Sequence, residues 1–307
     1  MPVQTYGGLT AEQKTFYDRT LLSRLVPNLV FLQHGQKRSI PKREGATVNF
    51  RRFNSLPAIT TPLVEGQPPA GSSLNITSIT ATVEGYGDYV LLSDFLDMAG
   101  IDPVATETLE AQGEQAAVSL DIIVRNVVAA GTNVLYAEGT ARNQITSAGV
   151  LTALLIRKAR KIMARNNVKP YTKNEYLAFI HPDAAYDLMG DSAWVNANQY
   201  AGSTQIFNGE LGKLYGIRFI ETTLAPIWAG AGSGGIDVYG TIVIGRDAYG
   251  IPDIAGSSKP ESIVKPLGSA GTADPLNQQS SVGWKAYLTA VRLQELAILR
   301  IEHAVSS

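Results

Sequence analysis

A Pro- and Gly-rich run at residues 56–73 constrains the fold more than any other feature of the chain. Before it, Val48 and Phe50 alternate with Asn49 and Arg51, which indicates a half-exposed strand. The run itself contains four prolines and two glycines, so it is too long and too broken for a regular element. We therefore expect an extended excursion that begins at the end of a strand.

The chain then returns as a second strand whose apolar residues change parity. Leu74 and Ile76 share one face and Ile79 and Val83 the other, which predicts a bulge or bend near Ser78. The two strands and their tip predict a long two-stranded arm that projects from a body. Such an arm has too few apolar residues to be stable alone, and ordering it costs conformational entropy. We therefore expect the arm to contact another molecule.

A long helix with one apolar face is predicted from Pro103 to about Ala130, because proline is favoured in the first turn of a helix. Its inward positions are Leu109, Ala116, Leu120, Ile123, Val124 and Val127, and the remaining positions hold Glu107, Glu110, Glu114, Asp121 and Arg125. A capping box predicts an earlier and shorter helix between Thr10 and Val26. Its apolar stripe is small, so we expect it to dock on another surface.

A further helix is predicted after residue 150, with a basic outer face. Its inward residues are Leu151, Leu154, Leu155, Ile162 and Met163, and its outer residues are Arg157, Lys158, Arg160, Lys161 and Arg165. This face is either a solvated surface or a nucleic-acid contact. The absence of interleaved aromatic residues favours the solvated surface.

Short apolar runs predict the remaining strands. Tyr176–Ile180 and Thr241–Ile244 are typical of strands buried on both faces, and they imply a second sheet. Near the end of the chain, alternation from Val282 to Ala290 predicts a long strand, and Leu296–Ile301 continues in the same style. We expect this last part of the chain to return to a sheet that begins near residue 90.

Composition excludes several classes of protein. The length of 307 residues suits about two domains, and the charged fraction of 17% lies below the usual level of about 25%, so part of the surface is expected to meet protein. Cysteine is absent, which excludes disulfides, iron–sulfur clusters and thiolate metal sites. The sequence contains neither a signal peptide nor a membrane-length apolar run, and we expect a chain made soluble in a cytoplasm.

The net charge of −1 gives no overall attraction to nucleic acid, so any role with DNA is expected to be containment. Basic residues nevertheless cluster around a single acid, Glu44. The cluster is Lys37, Arg38, Lys42, Arg43, Arg51 and Arg52. A solvated arm and a partner-facing arm both fit this pattern.

Residues for catalysis are sparse. His34, His181 and His303 are far apart in sequence, no nucleophile elbow is present, and structural histidines are favoured over a hydrolase triad. His181-Pro182-Asp183 resembles a helix cap more than a metal pair, and Glu107 with Glu110 is expected to be surface charge. No phosphate loop or dinucleotide fingerprint occurs. We therefore predict no catalytic residues, no metal site and no cofactor.

Several ordered motifs carry a resemblance to a known family. They are Gly35–Arg38, Gly45–Phe53, Thr61–Gly66, Thr80–Val83 and Tyr86–Asp88, followed by Glu114–Ala116, Gly131–Asn133 and Gly209–Gly212. Together they resemble the major capsid proteins of the coliphage N-four-like group, which are shell proteins of tailed phages with the Hong Kong 97-type fold. The resemblance covers most of the chain.

This resemblance implies an α+β fold with five parts. They are an N-terminal arm at 1–41, an extended E-loop at 42–84, a peripheral domain with a long spine helix at 85–149, an axial domain at 150–267, and C-terminal strands at 268–307 that return to the peripheral domain. By the same resemblance the spine helix is Pro103 to Ala130.

The function implied is self-assembly through pentamers and hexamers into an icosahedral shell around double-stranded DNA, without sequence-specific binding. Each E-loop would lie over an adjacent subunit, with Arg51, Arg52 and Glu65 as candidate inter-subunit contacts. Portal, scaffolding and decoration proteins are expected partners, and the virion, assembled in the bacterial cytoplasm, is the expected location. Lys42 and Asn277 exist, but no motif supports a covalent cross-link between them. The alternatives are an encapsulin-like compartment shell and, from another class, a hydrolase.

Overall fold

The computed structural model describes residues 30–306 except 64, 70, 100–103, 193, 195–211, 257, 270 and 272–273. Its helices are α1 (Phe31–His34), α2 (Asp94–Ala99), α3 (Val104–Ala129), α4 (Ala153–Arg165) and α5 (Pro182–Gly190). The helix predicted between Thr10 and Val26, and most of the Gly209–Gly212 motif, lie outside the described residues.

The strands fall into two sheets and a separate pair. They are β1 (Gln36–Ile40), β2 (Thr47–Phe53), β3 (Ile76–Thr82), β4 (Glu84–Ser93), β5 (Val134–Tyr136), β6 (Tyr176–Ile180), β7 (Lys213–Leu214), β8 (Ile217–Glu221), β9 (Ile227–Trp228), β10 (Val238–Ile244), β11 (Tyr249–Ile254), β12 (Glu261–Lys265), β13 (Gln279–Leu288), β14 (Val291–Arg292) and β15 (Ile298–His303).

The first sheet has the strand order β1-β11-β13-β12, with β14 paired to β11 and β4 paired to β13. Strand β13 pairs antiparallel with β4 along its whole length, from Gln279 opposite Ser93 to Leu288 opposite Glu84. This pairing confirms the prediction that a late strand returns to a sheet near residue 90. The register places Trp284 and Ala286 on the inner face, where both are buried.

On the opposite face of this sheet, large side chains lie over glycines of the adjacent strand. The pairs are Tyr287 with Gly85, Lys285 with Gly87, and Tyr89 with Gly283. A Cβ atom at Gly85 would lie 2.9 Å from the Tyr287 ring, and one at Gly87 would lie 2.5 Å from the carbonyl oxygen of Trp284. Any larger residue at these positions would displace a neighbour, which explains the glycines.

The second sheet has the order β5-β15-β10-β6-β8-β7, with β9 paired to β10. Strand β6 is buried along its whole length, and β10 lies between β6 and β15. The predicted buried strands at Tyr176–Ile180 and Thr241–Ile244 are therefore confirmed. Helices α4 and α5 contribute Ile156, Met163 and Leu188 to the core of this sheet.

The C-terminal strand β15 corrects one prediction. Leu296–Ile301 was expected to join the sheet near residue 90, but Ile298–His303 pairs antiparallel with β10 and parallel with β5 in the second sheet. Its residues are buried on both faces, which requires a position inside a covered sheet. Sheet membership also crosses the expected domain ranges, because β5 lies in the second sheet and β11 and β12 lie in the first.

Helix α3 packs on the first sheet, and its bounds, Val104 to Ala129, are close to those of the predicted helix. Leu120, Val124 and Val128 are fully buried in the core that it shares with Trp284 and Leu288. The predicted outward position of Asp121 is wrong, since its side chain is 0% exposed. The helical period places Asp121 beside the buried positions 117, 124 and 128, on the face that meets α1.

The C-terminal end of α3 has no basic residue in its own last turn, so distant arginines bind its free carbonyl groups. Arg292 Nη1 donates to the carbonyl of Val127 at 2.9 Å, and Arg300 Nη1 donates to the carbonyls of Ala129 and Gly131. Positive charge at this end also complements the helix dipole. The long helix is therefore fixed to β14 and β15.

Helix α4 is capped by Thr152, whose hydroxyl accepts the N–H of Leu155 at 3.4 Å. Leu155 and Met163 are buried as predicted, but Leu154 is half exposed and is wrong as an inward residue. The five predicted basic side chains are exposed, namely Arg157, Lys158, Arg160, Lys161 and Arg165. The outward basic face is therefore confirmed as a surface.

Strands β2 and β3 form the predicted two-stranded arm, which belongs to neither sheet. Their antiparallel register runs without interruption from Thr47 opposite Thr82 to Phe53 opposite Ile76, with Arg51 opposite Ser78. The predicted bulge near Ser78 is therefore wrong. The change of parity arises because Ile76 lies on an exposed face of the arm, not because the strand slips.

Candidate assembly surfaces

The arm contacts the body of the subunit through one face near its base. Val48, Phe50, Ile79 and Ala81 share this face and are half buried or buried. The ring of Phe50 lies so close to Gly250 of β11 that a Cβ atom there would be 2.9 Å from its Cζ atom. A glycine in the body therefore receives the aromatic anchor of the arm.

Arg51 and Arg52 point to opposite faces of the arm, since neighbouring residues of a strand alternate. Arg52 lies on the same face as Phe50, and Arg51 lies on the face that carries Phe53. Both are exposed, and both border an open cleft that Arg38 and Asp247 also line. Among the described residues neither guanidinium makes an ion pair, so both remain available to a partner.

The tip of the arm joins β2 to β3 through residues 54–75 and is exposed throughout its described part. Glu65 lies in this tip and is exposed. Apolar side chains there are also exposed, with Ile59 at 77% and Leu63 at 76%. Exposed apolar groups on a segment without a core of its own are typical of a binding surface.

A second exposed apolar region was not recognised in the sequence. We call it the α2 patch, and it consists of Leu91 on β4, Phe95, Leu96 and Met98 on α2, and Leu276 before β13. Phe95 is 73% exposed and Met98 is 75% exposed. The backbone joins these elements, because Asp94 N donates to the carbonyl of Gln278 at 3.0 Å.

The sequence did carry a signal for the α2 patch. Six of the nine residues from Val90 to Met98 are apolar, a density that is typical of a core segment. Ser93 caps α2, since Leu96 N donates to its hydroxyl at 3.1 Å. Within this run, Leu92 is buried and packs with Leu109 and Val282. The remaining apolar residues of this segment stay exposed in the single subunit.

The segment before the arm is attached to α3 through a buried carboxylate. Asp121 Oδ1 accepts the backbone N–H groups of Phe31 at 2.8 Å and of Leu32 at 3.1 Å. The hydroxyl of Tyr249 donates to the carbonyl of Phe31 at 2.5 Å. Burial raises the pKa of Asp121 to about 6, although these N–H groups and Arg125 oppose the rise. The root of the N-terminal segment is therefore held by polar contacts inside the core.

Each histidine has a structural role. His181 Nδ1 accepts the N–H of Asp183 at 3.3 Å and so caps α5, which confirms the capping interpretation of His181-Pro182-Asp183. His34 Nδ1 lies 3.1 Å from the hydroxyl of Tyr171, and burial together with Arg218 lowers its pKa. Within the described part of the chain, neither residue hydrogen-bonds to a serine or threonine hydroxyl.

His303 makes the one histidine contact that resembles catalytic geometry. Its Nδ1 donates to the carbonyl of Ala304 at 2.8 Å, so its Nε2 accepts from the hydroxyl of Thr241 at 2.9 Å. Both side chains are fully buried, and burial lowers the pKa of His303 to about 4. A substrate has no access to this pair, and its chemistry is that of a core hydrogen bond.

Other predicted positions can also be placed. Glu107 lies in the first turn of α3 and is exposed, which suits the positive end of the helix dipole. Among the described residues, no group of His, Asp and Glu side chains has the arrangement to hold a metal ion. None of the described helices has the length and apolarity needed to cross a bilayer.

Comparison with known proteins gives a consistent result. The sequence model of a family described as phage capsid protein matches residues 76–301. The capsid protein of cyanophage P-SCSP1u has a similar structure, with a TM-score of 0.69 and 15% identity over 91% of this chain and 89% of that chain. The capsid of Ralstonia phage GP4 gives 0.67 and 13% identity over 89% and 87%.

A virus-like particle from Pyrococcus furiosus is also similar, with a TM-score of 0.53 and 10% identity over 94% of this chain and 98% of that chain. No curated protein sequence matches significantly. At these identities the structures share the fold alone, and they confirm the predicted α+β fold of the Hong Kong 97 type.

Proposed function

Because this chain belongs to the phage capsid protein family, it is a structural protein of an icosahedral phage shell and not an enzyme, and we propose how its copies join. They form pentamers and hexamers, and neighbouring subunits are connected by the β2–β3 arm. The observation that carries this proposal is the exposure of the whole described tip at residues 54–75, while only the base of the arm packs on its own subunit.

The arm supports this proposal through its energetics. Ordering about twenty residues of irregular chain costs about 1–2 kcal/mol per residue, and the tip has no core to offset that cost. Contacts with a neighbouring copy would bury Ile59 and Leu63, which are exposed in the single subunit. Many such modest contacts, repeated around a closed shell, act together as avidity.

The α2 patch is proposed as a second self-contact. The α2 patch and the tip of the arm both expose apolar side chains on the same subunit. Burial of either surface against another copy would therefore be favourable. Obligate assemblies bury interfaces that resemble a divided core, and the patch has that composition.

Charge is proposed to set the register of these contacts. The candidate inter-subunit contacts are Arg51, Arg52 and Glu65. Arg51 lies on the face of the arm opposite to the one that packs on its own subunit. Charged pairs at an interface influence orientation and partner choice more than affinity. Arg51 and Glu65 are therefore expected to meet opposite charges on neighbouring subunits.

The finer organisation is also a proposal. We assign residues 1–41 to an N-terminal arm, 42–84 to an E-loop, 85–149 to a peripheral domain, 150–267 to an axial domain and 268–307 to returning C-terminal strands. Strands β5 and β15 would then belong to the sheet of the axial domain, and β11 and β12 to the sheet of the peripheral domain. Affiliation with the coliphage N-four-like group, assembly in the bacterial cytoplasm, and portal, scaffolding and decoration partners belong to the same proposal. Double-stranded DNA is enclosed without sequence-specific binding, as the net charge of −1 suggests.

Electron microscopy of the purified protein tests the proposal, together with size-exclusion chromatography. The wild-type chain is expected to form shells or capsomer rings. Deletion of residues 62–71 is expected to leave a folded subunit that forms no closed shell, because this part of the tip contributes nothing to the described core. Normal shells from the deletion variant would contradict the role of the arm.

A substitution pair tests the charge. Arg51→Glu is expected to impair assembly without unfolding the subunit, whereas the matched control Arg51→Lys keeps the charge and should assemble. Equal assembly by both variants would remove Arg51 from the contacts. Analysis of the contents of the particles separates a genome shell from a compartment that encloses protein cargo.

A further inference from the structure

A small cleft lies where the C-terminal end of α3 meets the second sheet. We call it the arginine cleft, because Arg125, Arg142 and Arg300 line it together with Trp228. Its volume is about 320 Å³. A space of this size holds an ion or one side chain.

A single buried carboxylate, Glu302, orients two of the three arginines. Arg142 donates from Nε and Nη2 to Glu302 at 2.8 and 2.7 Å, which is a bidentate pair. Arg300 Nε donates to the same carboxylate at 2.7 Å. Glu302 is 0% exposed, and the cluster of three guanidinium groups and one carboxylate has a net charge of +2.

The indole of Trp228 further fixes these cations. The central carbon of the Arg142 guanidinium lies 3.9 Å from the ring centroid, and that of Arg300 lies 5.2 Å from it. A planar guanidinium stacks readily on an aromatic face, and such a contact removes rotational freedom before any ligand arrives. The donors of the cleft are therefore preorganised.

Some of these donors remain unused. Arg142 Nη1 and Arg300 Nη2 make no hydrogen bond within the described part of the chain, although the other nitrogens of both groups do. Arg125 donates to the carbonyl of Leu224 and to Asn126, and its charge interacts with Asp121, which does not line the cleft. The residues that line the cleft thus carry three positive charges, and two of them have a guanidinium nitrogen without a hydrogen bond in the described chain.

We propose that the arginine cleft binds an oxyanion, such as a free phosphate or a carboxylate carried by another copy of the chain. Guanidinium forks match the geometry of both groups and bind them through charge-assisted hydrogen bonds. Binding of a carboxylate from another copy rests on the proposed function, whereas binding of phosphate by a dissociated subunit does not.

Inorganic phosphate titrated into the dissociated full-length subunit at low ionic strength tests the first source. Calorimetry is expected to show saturable binding that Arg125→Gln weakens roughly tenfold, the effect of removing one of the positive charges that line the cleft. Arg125 is the residue of choice because its removal leaves the Glu302 pairs intact. Arg125→Lys should retain most of the affinity, and Arg157→Gln on α4 is the matched control with unchanged binding.

Assembly tests the second source. If the oxyanion is a carboxylate of another copy, Arg125→Gln prevents shell formation, while Arg125→Lys and Arg157→Gln still assemble. Should Arg125→Gln fail to fold, Arg142→Lys replaces it, since a lysine can keep the Glu302 ion pair but loses the unused Nη1. Failure of the wild-type chain to assemble would count against the proposed function, and the phosphate titration would then decide alone. The inference would be overturned if Arg125→Gln bound phosphate with the affinity of the wild type and also assembled like the wild type.

Discussion

Asp121, near the middle of α3, accepts the backbone N–H of Phe31 at 2.8 Å and so caps a helix ninety residues earlier in the chain. Its other oxygen, Oδ2, is buried without a hydrogen-bond partner in the described structure. A buried carboxylate with one unsatisfied oxygen is costly when ionised, which agrees with its raised pKa. The contact therefore joins the N-terminal segment to the core in a manner that depends on pH.

The first prediction concerns Asp121→Asn and pH. The pKa of Asp121 in the folded chain is about 6 against an ordinary 3.8, so the folded state binds this proton more tightly than the unfolded state. Protonated Asp121 stabilises the folded chain fully below about pH 4, and this stabilisation is lost as the pH rises through 6. The shift in the pKa corresponds to about 3 kcal/mol in the free energy of unfolding. Asparagine keeps the accepting oxygen without the charge.

Urea unfolding of the dissociated subunit at pH 4 to 7 measures this effect. Relative to wild type, Asp121→Asn should gain about 3 kcal/mol between pH 4 and pH 7. Parallel stability curves for the two proteins across this range would show that Asp121 does not titrate near 6.

The second prediction has the opposite sign and concerns His303. Burial lowers its pKa to about 4 from 6.5, so the unfolded chain binds the proton more tightly. The contribution of neutral His303 is full above about pH 6.5 and is lost as the pH falls through 4, again about 3 kcal/mol. His303→Gln keeps a donor and an acceptor and should remove this acid-side loss. Asp121 and His303 change the free energy of unfolding in opposite directions as the pH rises. Each single variant therefore shows the pH dependence of stability that the other residue contributes.

The third prediction compares two glycines of β4. Gly87→Ala is expected to destabilise the subunit by about 2–3 kcal/mol, because its Cβ atom would meet the backbone oxygen of Trp284 at 2.5 Å. Gly85→Ala should cost less than about 1 kcal/mol, since it meets only the half-exposed ring of Tyr287, which can rotate away. Equal unfolding midpoints for the two variants would contradict the close approach of the strands at Gly87.

The fourth prediction concerns the α2 patch. Phe95→Ser and Met98→Ser should change the free energy of unfolding by no more than about 0.5 kcal/mol, because both side chains are largely exposed in the subunit. The same variants should bind less of a hydrophobic dye and assemble poorly. Leu92→Ser is the matched control, and it should cost about 2 kcal/mol or more because Leu92 packs in the core. Loss of stability in Phe95→Ser equal to that in Leu92→Ser would place the patch inside the fold.

Local patterns in the sequence predicted the elements whose period is unambiguous. Helix α3, the buried strands β6 and β10, the basic face of α4 and the two-stranded arm all follow from spacing alone. The cap at His181 was also predictable, because proline and an acid follow it directly. These features depend on residues within a few positions of each other.

Contacts between distant residues could not be predicted in this way. The position of Asp121 inside the core depends on Phe31, and the convergence of Arg125, Arg142 and Arg300 depends on how α3 and β15 meet. Strand β15 resembles β13 in its alternation, yet it joins the other sheet. The position of Ile76 was misinterpreted as the sign of a bulge, because the sequence of one strand does not show which of its apolar residues lie on an exposed face.

The pairing of early with late strands also determines when this subunit can fold. Strand β4 needs β13, β5 needs β15, and the end of α3 needs Arg292 and Arg300. Neither sheet is complete until residues 279–303 have left the ribosome, so a nascent chain carries its exposed apolar arm without a finished body to present it. A chain that stops before residue 279 therefore lacks the strand that pairs with β4 and the strand that pairs with β5, and it cannot form either sheet in full.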